Sequence, residues 1–340
     1  MKNDIAVYGA YGHTGKFIVS RLCEQGYYPV LIGRNRNKLF ELGQQYPDLK
    51  TVVADINDST SLDNAFSQSK IIVNCAGPYL DTAEPIIQSA LRLGTNYIDL
   101  SAEQKAVLNI FENFANKANQ SGIILLPASA FYGGLADLLS SYLTQGWDNI
   151  DSIKIYIGLD SWHPTKGTRL TGQRNHYQRF LFINGVLKPL ETSDSVSWTF
   201  PQPIETKEMI VVPLTEIITI SSHLKVNNII TYISLNSIED IKNSDTPEPM
   251  PTDKKNRSSQ QFCIDVVATL GNKERKITAQ GQDIYAVSAP LVVEAINRIA
   301  KGNIKTKGVT TLGEIFDSKD FLKTLSPDDI TISQIIESKR

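Results

Sequence analysis

Short apolar runs alternate with amphipathic stretches along the first 130 residues. The runs cover residues 5–8, 30–32, 51–54, 71–74, 97–100 and 123–126. Each is short and nearly all apolar, the pattern of strands buried on both faces. Between them, apolar residues recur at helical spacing. Ile18, Val19, Leu22 and Cys23 precede Gly26; Ile86, Ile87, Ala90 and Leu91 precede Gly94; Val107, Ile110, Phe111, Phe114 and Ala118 precede Gly122. Weaker helical patterns lie near 38–46 and 61–66. Such alternation predicts right-handed crossovers and a parallel sheet with helices on both faces.

Past residue 130 the pattern changes. A helix is predicted over 134–143, with Leu135, Leu138, Leu139 and Tyr142 on its apolar side. Strand-like stretches follow at 152–158, 229–235, 262–270 and 276–282, and Gly271-Asn272 between the last two reads as a hairpin turn. A helical segment over 168–182 interrupts them. The polar stretch 239–260, with Pro247, Pro249 and Pro251, reads as a mobile loop or an active-site lid. A helix over 290–300 ends at Gly302, and the tail is expected to be helix and loop. The fold class is therefore α/β: an N-terminal Rossmann-type parallel sheet plus a second α+β domain with a mixed or antiparallel sheet.

One turn in this pattern carries chemistry. Between the first run and the first helix stands Gly9-Ala10-Tyr11-Gly12-His13-Thr14-Gly15. Strand, glycine turn and helix are what a dinucleotide pyrophosphate needs, because glycines let backbone N–H groups approach the phosphates at a helix N-terminus. The spacing is G-x-x-G-x-x-G rather than G-x-G-x-x-G, so a plain glycine-rich turn stays open on this motif alone. The end of the second run adds to it. Gly33-Arg34-Asn35-Arg36-Asn37-Lys38 has no Asp or Glu to accept from a ribose 2′-OH. Arg34 and Lys38 suit a 2′-phosphate instead, with Arg36 a solvated charge. The expected cofactor is NADP(H).

Ligands of such sheets bind beyond the C-terminal strand ends. This adds Asp55, Ile56, Cys75, Ala76, Gly77 and Pro78 to the expected cofactor contacts. Asp55 would flank the adenine or cap a helix. Cys75 reads as a small buried residue rather than a reactive thiol. Candidates for a proton donor are Tyr79, Asp99 and Tyr132 near strand ends, and His176 in the second domain. Each has a plainer reading: an aromatic wall for Tyr79, a helix cap for Asp99, packing for Tyr132, a solvated face for His176. Glu103 falls in an expected first helical turn. Arg174 and Arg179, with Tyr79, are candidate substrate contacts; Arg169, Arg174 and Arg179 are spaced by five and do not share one helix face.

Bulk composition narrows the class without adding a site. The 340 residues are 41% hydrophobic and 21% charged with net charge −2, ordinary values for a globular chain of about two domains. No basic excess points to nucleic acid, and no apolar run approaches the roughly 18 residues of a membrane helix. Cys23, Cys75 and Cys263 are odd in number and far apart, and His13, His163, His176 and His223 show no ligand spacing, so no metal is expected. The chain starts its first strand at once, so no signal peptide is expected, and a cytoplasmic protein is. A homodimer through exposed sheet edges is a further expectation.

With these residues in view, the chain resembles the saccharopine dehydrogenase-like superfamily of NADP-binding oxidoreductases. The resemblance rests on Gly9 to Gly15, Gly33-Arg34 with Lys38-Leu39, Asn74-Cys75-Ala76-Gly77-Pro78-Tyr79 and Tyr97-Ile98-Asp99-Leu100-Ser101-Ala102-Glu103. Gly133-Gly134-Leu135-Ala136-Asp137-Leu138-Leu139, Gly167-Thr168 and Gly281-Gln282-Asp283-Ile284-Tyr285 add to it. It implies a Rossmann domain over 1–131, a substrate domain over 132–285, and a segment 286–340 that returns to the first. It also implies hydride transfer between NADP(H) and a small-molecule substrate held between the domains. Reduction of a C=N or C=C bond is expected ahead of C=O, since the Tyr-x-x-x-Lys spacing of short-chain dehydrogenases is missing after the fifth strand. A non-catalytic NADP-binding sensor or interaction protein on the same scaffold is the alternative.

Overall fold

The computed structural model describes residues 2–191 and 195–339; positions 1 and 340, the outer bounds of the expected division, lie outside it. The first part alternates as the apolar pattern predicts: β1 (Lys2–Tyr8), α1 (His13–Glu24), β2 (Tyr28–Gly33), α2 (Arg36–Gln45), β3 (Thr51–Val53), α3 (Ser59–Phe66), β4 (Ile71–Asn74), α4 (Tyr79–Leu93), β5 (Asn96–Asp99), α5 (Gln104–Ser121) and β6 (Ile124–Leu126). A π-helical turn (Phe131–Leu135) leads into α6 (Ala136–Leu143). Then come β7 (Ile150–Leu159), α7 (Lys166–Arg174), β8 (Phe180–Ile183), β9 (Val186–Pro189), β10 (Ser195–Thr199), β11 (Thr206–Val211), α8 (Glu216–Ser221), β12 (Val226–Ser234), α9 (Leu235–Lys242), β13 (Gln261–Leu270) and β14 (Lys273–Gln282). The chain ends with α10 (Ser288–Ala300), β15 (Gly308–Val309), α11 (Leu312–Ile315), α12 (Ser318–Leu325), β16 (Ile330–Ile332) and β17 (Ile336–Lys339).

The first sheet is parallel, in the order β15-β6-β5-β4-β1-β2-β3. Its inner strands are buried on both faces by period-two alternation, while the edge strand β3 is exposed or half-buried. Ile5 and Val7 face one core with Ile18, Val19 and Leu22 of α1, while Ala6 and Tyr8 face another with Ile86, Ile87 and Ala90 of α4. The α5 residues Val107, Ile110, Phe114 and Ala118, spaced helically in the sequence, are all buried. Gly94 and Gly122 close α4 and α5 in the left-handed region, at φ +65° and +64°. The order reverses between β1 and β4, and the C-terminal side of that crevice is where a doubly wound sheet binds its ligand.

The second sheet is mixed. Its main path runs β10-β11-β12-β7-β13-β14-β16, with β12 and β7 parallel and the other pairs antiparallel. One face, with Ile153, Ile155, Ile229, Ile264 and Ile277, joins the same core as Ile5 and Val7 of the first sheet. The C-terminal segment divides. Strand β15 pairs with β6, while β16 and β17 pair with β14.

Three sequence expectations need correction. The helix expected over 168–182 stops at Arg174, and Phe180–Ile183 is a strand. The aromatic and β-branched run Phe180-Leu181-Phe182-Ile183 prefers the pleated surface, and Asn184-Gly185, at φ +54° and +77°, turns it into β9. The tail is not only helix and loop, because it adds strands to both sheets. Within the loop expected over 239–260, α9 extends to Lys242. The Arg169 guanidinium then holds the backbone that follows, donating to the carbonyls of Ile241, Asn243 and Thr246 at 3.4, 3.2 and 2.7 Å.

Candidate functional site

The glycine turn fits tightly against the end of β4. The amides of Gly9 and Ala10 donate to the Ile32 carbonyl at 2.8 and 3.2 Å. Gly9 sits at φ +78°, and a Cβ there would stand 2.9 Å from Ala76. A Cβ on Gly15 would collide with the carbonyl oxygens of Gly9 and Ala10. Both glycines are therefore required for the loop to lie this close. Helix α1 opens with Gly12 as its N-cap, no side-chain cap and no acid in its first turn. Its first backbone bond is Lys16 to Gly12, at 3.0 Å. The amides of His13, Thr14 and Gly15 thus have no helical acceptor, and they meet at the positive end of the helix dipole. That is an anion site.

Cations surround the end of β2. The Tyr11 ring covers Gly33, and its hydroxyl accepts from the Asn35 amide at 3.1 Å. Asn35 caps α2 by accepting from the Lys38 amide at 3.0 Å, and the Lys38 ammonium stands 5.8 Å from the Tyr11 ring centroid. Arg34, Arg36 and Lys38 are exposed, and none pairs with a carboxylate among the described residues. Asp55 does not cap α3. Its carboxylate accepts from the Asn57 amide and side chain, both at 2.9 Å, and the cap is Asp58, which accepts from the Ser61 amide at 3.0 Å. Ile56 is half-buried beside it.

The loop after β4 is braced from behind. Asn74 donates to Thr82 and Tyr97 at 3.1 and 3.2 Å and accepts from the Ala76 amide at 3.1 Å. The Thr82 hydroxyl donates to the Ala76 carbonyl at 2.6 Å. Gly77-Pro78 is a cis peptide. Glu103, fully buried, accepts from the amides of Tyr79 and Leu80 at 2.7 and 3.2 Å and so caps α4. Asp99 is fully buried too. It accepts from the Ser101 and Ala128 amides at 2.9 and 2.8 Å and from the Tyr97 hydroxyl at 2.9 Å. Those bonds join the ends of β5 and β6 and commit Asp99 to the scaffold. Burial pushes the Cys75 thiol upward, which makes it a poor nucleophile. Burial also holds the Tyr79 phenol well above its ordinary range.

The second sheet's loops close over these strand ends. A Cβ on Gly77 would lie 3.3 Å from the Thr171 hydroxyl of α7. Arg174 pairs with Asp81 of α4 at 2.9 Å. Tyr285 is a hub: its hydroxyl accepts from Trp162 Nε1 at 2.9 Å and the Thr165 amide at 3.4 Å, and shares a bond with the Thr168 hydroxyl at 2.8 Å. Its ring meets His13 edge-on, with centroids 5.3 Å apart. Burial lowers the His13 pKa and keeps the imidazole neutral, and Nε2 has no partner. Trp162 in turn lies 5.8 Å from Tyr132, centroid to centroid.

The structure therefore brings Gly9 to Gly15, Gly33, Arg34, Lys38 and Cys75 to Pro78 to one end of the first sheet. Tyr79 lies beside them and Tyr132 follows β6 at the same end. Arg174 reaches this end but is engaged with Asp81. His176 is exposed and forms no hydrogen bond or ion pair among the described residues. Arg179 faces Glu216 electrostatically. Sequence reasoning passed over Glu216, Trp162 and the capping role of Glu103. Glu216 had a signal: it is the lone acid in the apolar stretch Val211-Val212-Pro213-Leu214-Thr215-Glu216-Ile217-Ile218.

Comparison with known proteins agrees with this geometry. Residues 5–126 match the saccharopine dehydrogenase NADP-binding domain family. That match takes in the glycine turn and six of the first sheet's seven strands, β1 to β6. A saccharopine dehydrogenase-like oxidoreductase of Bos taurus is 28% identical over 152 residues, 39% of this chain and 35% of that protein. A lipid droplet localized protein of Caenorhabditis elegans is 26% identical over 156 residues, 42% of this chain and 37% of that protein. The match thus spans little more than a third of these relatives. Apo saccharopine dehydrogenase (L-Glu forming) from Saccharomyces cerevisiae shares the fold across 98% of this chain and 99% of its own, with TM-score 0.67 and 11% identity. Among the described residues, no helix is long and apolar enough to cross a membrane, and no cluster of His, Cys, Asp or Glu could hold a metal ion.

The NADP-binding assignment fits the residues present. The saccharopine dehydrogenase-type domain offers uncapped amides for a pyrophosphate, two glycines where a side chain would intrude, and exposed cations with no acid where a 2′-phosphate would lie.

Proposed function

We propose that this chain is an NADP(H)-dependent oxidoreductase of the saccharopine dehydrogenase-like type. It reduces a C=N or C=C bond, and less readily a C=O bond, of a small organic or lipid-like substrate. The observation that carries this reading is the bare N-terminus of α1 beside the unpaired Arg34 and Lys38, with loops of a second sheet closing over the same strand ends. Residues 1–131 form the cofactor domain, joined by part of 286–340, and 132–285 form the substrate domain.

In this reading the bound cofactor supplies the hydride. The protein's own residues do the rest. The amides of His13, Thr14 and Gly15 hold the pyrophosphate; Arg34 and Lys38 hold the 2′-phosphate; Asp55 and Ile56 flank the adenine. Cys75, Ala76, Gly77 and Pro78 let the ribose pass close, and Tyr79, Tyr132 and Thr171 face the reacting end. A purified chain supplied with NADPH and a panel of cyclic imines, enones and ketones tests the reading. Loss of NADPH absorbance with an imine or an enone, ahead of ketones, is expected. A nicotinamide C4 sealed against protein in a complex with NADPH would contradict it.

A further inference from the structure

Six buried side-chain polar atoms among the described residues have no hydrogen-bond partner, and three of them belong to one interior cluster. They are the Tyr132 hydroxyl on the π-helical turn, Glu216 Oε2 at the start of α8, and the Thr231 hydroxyl on β12. Tyr132 is 9% exposed and the other two are fully buried. An orphaned buried polar group costs roughly 1–3 kcal/mol, so a cluster of them asks for a ligand. The elements that carry them are in contact. The Thr219 hydroxyl of α8 donates to the Gly133 carbonyl of the π turn at 3.0 Å. The Thr231 hydroxyl lies beside the Glu216 carboxyl, and Glu216 bears electrostatically on the Tyr132 phenol. A π turn inside a helix is itself a common mark of a functional position.

The direction of these groups is set by what they already do. Glu216 Oε1 accepts from the Leu214 amide at 2.8 Å, so a proton on this carboxyl belongs on Oε2, the free oxygen. Burial lifts the Glu216 pKa to about 7, against the neighbouring Thr231 hydroxyl, the Leu214 amide and, least, the Arg179 charge, which draw it down. Burial, with Tyr285 and Glu216 as further causes, holds the Tyr132 phenol well above its usual range, so it keeps its proton. The Tyr132 O–H, which has no acceptor, and the Glu216 carboxyl, with Thr231 as its polar neighbour, therefore lie in one interior cluster. Tyr132 is also the ring beyond Trp162 in the line that starts at His13 of the phosphate loop.

We propose that the Tyr132 hydroxyl and the protonated Glu216 carboxyl form a two-donor site for an anionic oxygen, the oxygen of a carbonyl conjugated to the bond being reduced. This deepens the oxidoreductase reading and rests on it. A hydride from NADPH adds to the β-carbon of an α,β-unsaturated carbonyl, and the C=C electron pair moves to place negative charge on the carbonyl oxygen. Tyr132 and Glu216 hold that oxygen while the α-carbon takes a proton from water. The products are the saturated carbonyl compound and NADP+. Two donors in a water-poor site act where charge develops, the arrangement that makes such sites effective. The cluster offers no second acid to hold a cationic nitrogen.

Phenol tests this as a mimic of the enolate oxygen, titrated against the NADP+-bound protein, with benzylamine as the cationic counterpart. Phenol is expected to bind and benzylamine not to bind. Tyr132→Phe and Glu216→Leu each weaken phenol about tenfold or more, the effect of removing one donor. Glu216→Gln, which keeps an N–H donor, restores most of the affinity. In the wild type, phenol binding falls as pH rises through the Glu216 titration, because the ionised carboxylate no longer donates; Tyr132, Thr231, Arg179 and Tyr285 are the polar or charged groups that face the pair. Glu216→Gln removes that fall, which loss of packing alone would not do. Should Glu216→Leu not fold, Tyr132→Phe and the pH profile of Glu216→Gln still decide. Benzylamine binding, absent phenol binding, or a Glu216→Gln profile like the wild type would overturn the proposal. NADPH titration runs alongside: failure there defeats the cofactor reading, whereas NADPH binding without phenol binding defeats only the donor pair.

Discussion

The Arg174 guanidinium lies 2.9 Å from the Asp81 carboxylate, tying α7 to the start of α4 across the strand ends that form the cofactor crevice. Helix α7 buries none of its residues and is held by polar contacts: this pair, the Thr165 and Thr168 bonds to Tyr285, and the Arg169 bonds to three carbonyls. An exposed ion pair contributes little to folding and is screened by salt. Asp81→Asn should therefore leave the melting temperature nearly unchanged while speeding NADPH release several-fold, measured by stopped-flow fluorescence. Added salt should speed release in the wild type and have less effect in the variant.

Glu103 satisfies two backbone donors at the start of α4 from a fully buried position. Its removal strands those amides next to Gly77 and Tyr79. Glu103→Ala should lower stability by about 1–3 kcal/mol in urea denaturation. Glu103→Gln, which keeps one acceptor oxygen, should lose less.

A buried pair docks the C-terminal segment. His223 Nε2 and Asp137 Oδ1 are 2.6 Å apart, and the other Asp137 oxygen accepts from the Gly313 amide at 2.6 Å. Burial alone would lower the His223 pKa, but the Asp137 charge and hydrogen bond outweigh it and raise it. A pKa raised on folding contributes stability that is complete below the unfolded value, near 6.5, and is lost as pH rises through the folded value. The stability difference between wild type and His223→Gln should be largest in mild acid and shrink as pH rises above that range. Urea melts of both proteins at a series of pH values measure it, and a difference that grows with pH would contradict the assignment.

Gly9 faces Ala76 across the switch point, with 2.9 Å between Ala76 and the place where a Cβ would stand. Gly9→Ala also forces φ +78° on a residue that disfavours it. The variant should lose NADPH binding in fluorescence titration while keeping most of its helix signal by circular dichroism.

The first sheet was legible because its inner strands are buried on both faces, so apolar runs and helical spacing report directly on the core. The glycine turn and the cations after β2 were legible for the same local reason. The second sheet was less so. Strands β8 and β9 went unseen although Asn184-Gly185 is a strong hairpin signal, because the helical segment was expected to run on to residue 182. Glu103 and Tyr285 act through partners far away in sequence: Glu103 caps a helix 24 residues earlier, and Tyr285 meets Trp162 across 123 residues. No local pattern encodes such pairings. Asp99 shows the converse: a strand-end acid suited to chemistry is spent on three internal hydrogen bonds.

The central claim is that Arg34 and its neighbours read a 2′-phosphate. Parallel fluorescence titrations with NADPH and NADH, on wild type and Arg34→Ala, test it most directly. The account predicts tighter NADPH binding in the wild type, a loss of roughly tenfold to a hundredfold for NADPH in Arg34→Ala, the scale of one charge-assisted contact, and little change for NADH. Equal wild-type affinity for the two cofactors, or an Arg34→Ala protein that binds NADPH unchanged, would contradict it.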